Sequence, residues 1–390
     1  MYKPRIVFPF TEAGLGHIIP MNAIADAFEA LYGDKTEVIR SKFFTETDRP
    51  KLKLFEDRLK NEVTKHNKHT SYGYFATINM ELWRTKLSSW GTMTFLAPGA
   101  KKQGLEHMKE LKADMVVSTH WATNYYAMNI KPRPLTVTYV PDTEVNPMFS
   151  YPCDLVMSCT PLGLEKALKK HPIRFNENNI IHVPYAIRHT AFEVENSSKI
   201  ELRKKNGLAP NKFTILLAEG GYGIGKMEKI CKIILEKNLP VNLIPICGKN
   251  EELHQRFLSW QVPENVTFRP LGAVGDCIFE YMAASDIFCG KAGSMLSELT
   301  FFGVPQIITK YATLIEKNMA HYYLDYVKSA IKIFDEQATV RKIEEFMKYP
   351  EQMEEYIVNA KKQRTNYGAE VAATKIFELL CTKFPHLRDM

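Results

Sequence analysis

The chain predicts an α/β protein of two doubly wound domains facing each other across a cleft. Three observations lead there. Apolar runs of strand length alternate with helix-period segments through almost all of the 390 residues. The alternation restarts near residue 212, after the polar stretch Glu193–Lys205. Three glycine-bearing turns each follow a predicted strand and precede a predicted helix, the connection on which parallel sheets are built.

In the first half, Arg5–Phe10 reads as a strand and His17–Leu31 as the helix after it. Asp114–Ser118, Leu135–Val140, Asp154–Ser158 and Asn179–Val183 read as further strands, with Trp121–Met128 and Leu162–Lys170 as helices between them. In the second half the strands are Phe213–Ala218, Val241–Cys247, Val266–Pro270, Asp286–Gly290 and Val304–Thr309. Its helices are Met227–Lys237, Ile278–Ala284, Met295–Phe302 and Lys317–Val327. The boundary is placed near residues 188–200. This gives an N-terminal domain over 1–190, a C-terminal domain over 200–365, and a final helix in 366–390 packing back on the first domain. Open α/β sheets bind ligands beyond the carboxyl ends of their strands, so the turns there are the places to look for chemistry.

Composition narrows the class. An apolar fraction of 45% with 24% charged residues fits a folded globular chain and excludes disorder, collagen-like repeats and coiled coil as whole-chain readings. No apolar run approaches the ~18–20 residues that span a bilayer. The N-terminus enters a strand pattern at once, without the layout of a signal peptide. Seven scattered cysteines with no CxxC pair, among them Cys231, Cys247 and Cys289 in apolar patterns, read as reduced core thiols in a cytosolic protein. His66, His69, His107, His171, His189 and His254 sit in polar surroundings and read as surface residues.

The net charge is +7, and the excess is local: residues 51–110 hold eleven Lys/Arg against six Asp/Glu. Within that region, residues 72–95 contain Tyr72, Tyr74, Phe75, Trp83, Trp90 and Phe95, with Arg84 and Lys86 among them. Aromatic rings beside basic groups suit a bilayer interface. They suit single-stranded nucleic acid by stacking and phosphate contact as well, and an ordinary helical hairpin with one buried face has the same composition.

The glycine turns are Thr11-Glu12-Ala13-Gly14-Leu15-Gly16-His17, Glu219-Gly220-Gly221-Tyr222-Gly223-Ile224-Gly225-Lys226 and Gly290-Lys291-Ala292-Gly293-Ser294. Glycine admits a ligand close to the backbone, and the following helix offers free N–H groups to an anion. A tight strand-to-helix turn wants glycine too, so one loop alone is weak. The dinucleotide fingerprint GxGxxG with a later acid is not cleanly present, and the Walker pattern GxxxxGK[ST] is absent. The third turn is the most specific: Gly293, Ser294 and Met295 start a predicted helix whose amides can hold a diphosphate. Glu298, one turn in, can accept two hydrogen bonds from a ribose diol or simply complement the helix dipole.

From Leu271-Gly272-Ala273-Val274 through Asn318 the chain resembles the donor half of inverting glycosyltransferases built from two Rossmann domains, the GT-B type. The likeness is to monogalactosyldiacylglycerol synthases and bacterial diacylglycerol glucosyltransferases. Gly290-Lys291-Ala292-Gly293-Ser294…Glu298 matches the family's "TKAG…T..E", and Gly303-Val304-Pro305-Gln306-Ile307 its "G.P.i" strand. Leu314-Ile315-Glu316-Lys317-Asn318 matches the "GQE..N" donor-sugar turn in part: the acid and the Asn stand two residues apart instead of three, and no Gln precedes the acid. In the first half, Ala113–His120 matches "PDvvvsthp", and the GLGH of Leu15's turn departs from "GGGH" while keeping Gly16 and His17.

The resemblance implies a UDP-hexose transferase with a lipid acceptor such as diacylglycerol, and no nucleic-acid partner. Uracil would lie at Ala273–Val274 and the ribose at Glu298. The diphosphate would lie at Gly221, Gly223 and Gly293–Met295, and the hexose at Glu316 and Asn318. Gly14, Gly16 and His120 would belong to the acceptor or phosphate side. No metal and no cofactor are implied, since helix N-termini can take the place of a metal as the charge acceptor. The acidic pair Asp142-Thr143-Glu144 lies in the half opposite the donor and reads as acceptor-side or structural. Inverting transfer needs a base for the acceptor hydroxyl. His17, at the carboxyl end of the first strand and the start of a helix, is the first candidate; Glu12 and Asp142 are the alternatives. With a lipid acceptor, residues 72–95 (Trp83, Arg84, Lys86, Trp90) become a membrane-facing segment. The protein is then expected in the cytoplasm, held peripherally on acidic lipid at the inner face of the membrane.

Overall fold

A computed structural model describes residues 2–12, 15–68, 73, 87–150, 153–170, 174–220, 225–364 and 368–388. The chain divides into two compact units: residues 1–66, 71–189 and 367–390 form one, and residues 67–70 and 190–366 the other.

The first unit is built on a parallel sheet of β1 (Arg5–Pro9), β2 (Glu37–Ser41), β3 (Met115–Ser118), β4 (Leu135–Val140), β5 (Leu155–Ser158) and β6 (Ile180–His182), in the order β2-β1-β3-β4-β5-β6. Helices cover both faces, so the inner strands are near-continuous apolar runs: Ile6, Val7 and Phe8 in β1, and Met115, Val116 and Val117 in β3, are all buried. The Leu15–Tyr32 helix carries the chain from β1 to the edge at β2, and the chain then returns to β3 on the other side of β1. The final helix, Glu370–Lys383, packs on Leu15–Tyr32 with the Phe377 ring stacked on Tyr32 at 3.9 Å. Lys35 fixes the end of the chain by donating to the Leu387 carbonyl at 3.3 Å.

The second unit repeats the plan. Strands β7 (Phe213–Ala218), β8 (Val241–Ile246), β9 (Thr267–Phe268), β10 (Ile287–Lys291), β11 (Gln306–Lys310) and β12 (Ala330–Lys332) pair in parallel in the order β12-β11-β10-β7-β8-β9. Counted from β7, that is the doubly wound order of a dinucleotide-binding domain. Its core joins Ile215, Leu217, Leu243, Ile287, Cys289 and Ile307 of the sheet to Met227, Ile230 and Ile234, which fall on one face of the Met227–Glu236 helix.

The polar stretch Glu193–Lys205 takes part in two short helices, Thr190–Val194 and Lys199–Lys205, and Arg203 reaches the Ala284 carbonyl at 3.0 Å and Asp286 at 2.7 Å. Several expectations change. The helix expected over Lys317–Val327 runs Leu314–His321 and then widens into a π-turn, Tyr322–Tyr326. The expected strand Val266–Pro270 shortens to β9. Edge strands β2 and β12 carry no long apolar run, and the sequence reading passes over them. His107, expected at the surface, is 9% exposed beside the Phe43 ring at 4.9 Å, where burial favours its neutral form.

Candidate active site

In each unit the sheet order reverses at one point, and there the loops leaving two neighbouring strands diverge and leave a crevice. In the first unit it lies between β1 and β3, and in the second between β7 and β10. The first glycine turn leaves β1, the second leaves β7 and the third leaves β10, so all three stand at reversal points.

In the first unit His17 lies in the first turn of the Leu15–Tyr32 helix. Its Nδ1 is 2.7 Å from the Thr119 carbonyl, and the Thr119 hydroxyl donates to the His17 carbonyl at 2.9 Å. A carbonyl only accepts, so the contact fixes a proton on Nδ1, and in the neutral ring Nε2 is then the acceptor. The His120 ring meets His17 edge-on at 5.2 Å. His120 caps the Trp121–Met128 helix, its Nδ1 accepting from the Ala122 amide at 3.3 Å. Burial, and next the nearby His17, hold the His120 imidazole well below its ordinary range, so it stays neutral.

Glu12 is engaged by lysines: Lys60 at 3.1 Å and Lys42 at 3.9 Å. Under the turn lies Glu56, 0% exposed, which accepts from the Thr11 hydroxyl at 2.8 Å and from the Glu12 amide. Burial raises the Glu56 carboxyl. Asp142, just beyond β4, accepts from Asn146 at 3.2 Å, while its neighbour Glu144 is paired with Lys166. Gly16 is half-buried in the first helix. Gly14 lies outside the described residues.

In the second unit Glu219 follows β7 and is 2% exposed. Gly290 is demanded by packing: a Cβ there would stand 2.0 Å from the Ala218 carbonyl oxygen of the neighbouring strand. Gly293 is different, since a Cβ there would meet nothing within 4 Å, so its backbone borders open space. Ser294 precedes the Met295–Phe301 helix, which is held by a 2.6 Å hydrogen bond between the Ser297 and Tyr323 hydroxyls. Glu298 is enclosed within that helix at 3% exposure. Ala273 is exposed and Val274 half-buried, ahead of Gly275, whose φ of +55° suits glycine.

Glu316 takes the third position of the Leu314–His321 helix. Its oxygens accept from Lys291 Nζ at 2.6 Å and from the Ala312 amide at 2.6 Å, while its own amide donates to Thr313 Oγ1 at 3.1 Å. The sequence reading brings Glu316 and Asn318 to one sugar, but two residues of α-helix turn them about 200° apart, so they do not share a face. Gly221, Gly223, Trp83, Arg84 and Lys86 lie outside the described residues. Trp90 is 41% exposed and Phe95 73%, their rings meeting edge-on at 5.6 Å. Among the described residues no three His, Cys, Asp or Glu side chains gather as a metal site, and no helix is long and apolar enough to cross a membrane.

Sequence reading missed Glu56, which accepts from the Thr11 hydroxyl, and Thr309, whose hydroxyl donates to Glu219 at 3.1 Å. Glu219 could have been found: a carboxylate directly after the apolar run Ile215–Ala218 is costly unless it has a task.

No family model matches the chain. In sequence it is similar to the probable monogalactosyldiacylglycerol synthase, chloroplastic, of Nicotiana tabacum, 23% identical over 339 residues, 82% of this chain and 60% of that protein. It is also similar to the processive diacylglycerol beta-glucosyltransferase of Bacillus pumilus, 28% identical over 182 residues, 46% of this chain and 47% of that one. The chain spans about half to three fifths of the length of these relatives. Among solved structures, MurG of Acinetobacter baumannii aligns over 97% of this chain and 100% of its own with a TM-score of 0.54 at 13% identity. MnaA of S. aureus, solved with UDP, aligns over 98% and 97% with 0.62 at 14%. The fold is of the GT-B type. That fold is shared by the glycosyltransferase SnogD of Streptomyces nogalater and by a UDP-GlcNAc 2-epimerase of Neisseria meningitidis, the latter with a TM-score of 0.60 at 14% identity, so it is not confined to one activity.

Proposed function

We propose that the chain transfers a hexose from a UDP-sugar to a lipid acceptor such as diacylglycerol, with inversion at the anomeric carbon. The observation that carries this reading is the sequence similarity running through both units to a protein named as a probable monogalactosyldiacylglycerol synthase. The donor is assigned to the second unit. Uracil lies at Ala273–Val274, the ribose at Glu298, and the diphosphate at Gly293–Met295 with Gly221 and Gly223. The hexose meets the lone pairs that Glu316 has left, since Asn318 faces away from it on the same helix. In the first unit His17 Nε2 takes the proton of the acceptor hydroxyl while UDP departs from the opposite face. The tautomer fixed by Thr119 supports His17 over Glu12, whose carboxylate is already held by Lys60. Gly14, Gly16 and His120 frame the acceptor, and no metal or cofactor is assigned.

Acidic lipid is the surface on which the acceptor is met, and the place is the inner face of the membrane. The exposed Trp90–Phe95 pair supports this. The test is UDP release from UDP-galactose and UDP-glucose, with and without diacylglycerol in vesicles. Release that requires diacylglycerol is the expected result. Release with a soluble or polyprenyl-linked acceptor only would replace the lipid, and no release with any acceptor would leave a nucleotide-binding relative without catalysis.

A further inference from the structure

Glu219 does something the assigned reaction does not use. Its Oε1 accepts from the Lys226 amide at 3.2 Å and from the Thr309 hydroxyl at 3.1 Å. Lys226 stands directly before the Met227–Glu236 helix, and Thr309 lies in β11, two strands across the sheet from β7. One carboxyl thus joins the end of β7, the start of the next helix and β11. Gly225 is shaped to it, because a Cβ there would stand 2.1 Å from Oε2 and 2.3 Å from the carboxyl carbon. Among the described residues no hydrogen-bond donor reaches Oε2.

We propose that Glu219 is a positioning residue of the nucleotide-sugar site: its carboxyl sets where the Lys226 amide and the start of the following helix stand, and its charge sets how readily these strand ends accept a diphosphate. This rests on the donor assignment to the second unit.

The charged surroundings are mixed. Lys226 stands at the helix start, Lys291 on β10 and Lys310 on β11; Glu316 of the Leu314–His321 helix takes up Lys291. The buried Cys289 thiol on β10 is raised by burial and stays neutral. Burial pushes the Glu219 carboxyl up to about 7, against the opposing pull of its two hydrogen bonds and the two lysines. Below about pH 7 the group is mostly neutral, and above it mostly ionised. An anion then stands next to the place of a second anion, in surroundings that screen poorly. Diphosphate affinity therefore falls as pH rises from 6 to 8. The limit is about tenfold, reached when the protonated form alone binds.

The experiment uses UDP-glucose and UDP-galactose, whose diphosphate neither gains nor loses a proton over this range. Titration calorimetry at pH 6, 7 and 8 on the full chain compares wild type with Glu219→Gln. Amide exchange at Lys226, without ligand, compares both with Glu219→Ala. Wild-type affinity is expected to weaken about tenfold, while Glu219→Gln, neutral throughout, stays level. The Lys226 amide is expected to keep its protection in Glu219→Gln, which retains an acceptor, and to lose it in Glu219→Ala. Parallel pH profiles would overturn the role of charge, and unchanged exchange in Glu219→Ala would overturn the positioning. If neither sugar nucleotide binds wild type at any pH, the donor assignment fails and the charge role with it, while the exchange result still decides the positioning.

Discussion

Two side chains with contrasting surroundings decide most of the proposed chemistry at the residue scale. His17 is held at one ring nitrogen by the Thr119 carbonyl and keeps the other as an acceptor, the arrangement a general base needs. Glu12 has its oxygens toward Lys60 and Lys42, which engage it. His17→Ala is therefore expected to lower turnover by roughly a hundredfold or more, the usual scale for general-base loss, and Glu12→Gln by much less. UDP affinity is expected to survive His17→Ala, since every proposed donor contact lies in the second unit. Initial rates at saturating acceptor, beside calorimetric UDP titration, separate these effects; wild-type turnover in His17→Ala would return the base to Asp142. On the donor side, UDP at a hundredfold excess over its dissociation constant should stabilise the native chain by about 2.7 kcal/mol. Glu298→Ala should remove most of the resulting shift in Tm, and a full shift in that variant would detach Glu298 from the ribose.

Among the elements, β7 and β10 carry the proposed donor side, and they meet at Gly290, where no side chain stands between them. The Cβ that Gly290→Ala adds would stand 2.0 Å from a backbone oxygen of β7, which cannot rotate away as a side chain would. The strands must separate, and overpacking of this kind costs about 1–3 kcal/mol. Urea unfolding should show that loss, together with weakened UDP binding, whereas Gly293→Ala, with open space at its Cβ, should leave stability nearly unchanged. The same elements show what was legible in the sequence. Strands buried on both faces are written as apolar runs, and helices such as Met227–Glu236 as one apolar face, so the inner strands of both sheets could be read directly. Strand β2 was not legible because it lies at an edge and is held by charge: Arg5 pairs with Glu37, and Arg40 with Asp26 and Glu29. The glycine turns could be read because glycine does a local job. Their supports could not, because Glu56 meets Thr11 across 45 residues and Glu219 meets Thr309 across 90, and no local pattern records such a meeting.

For the whole molecule the open matter is how a chain without a membrane-spanning helix among its described residues would reach a lipid. The charge is concentrated where the aromatic rings are: residues 51–110 carry eleven basic groups against six acidic ones. Trp90 and Phe95 are exposed in that stretch, and Lys101 lies 5.9 Å from the Trp90 ring centre. Rings of this kind settle at headgroup depth, and nearby lysines add about 1 kcal/mol each on an anionic surface. That attraction fades over a Debye length of roughly 10 Å at 0.1 M salt. Binding should thus be reversible and should require both acidic lipid and low ionic strength. Sedimentation with phosphatidylglycerol vesicles is expected at low salt, weakening as salt rises and on vesicles of neutral lipid. The double change Trp90→Ala with Phe95→Ala should reduce sedimentation and turnover on vesicle-embedded acceptor, while UDP affinity holds. Neither ring fills the core, so the fold should survive the change, which a melting curve checks. Sedimentation that ignores salt and lipid charge would mean that apolar insertion alone carries the contact. Absence of sedimentation at low salt would move the acceptor out of the membrane and favour transfer to a soluble one.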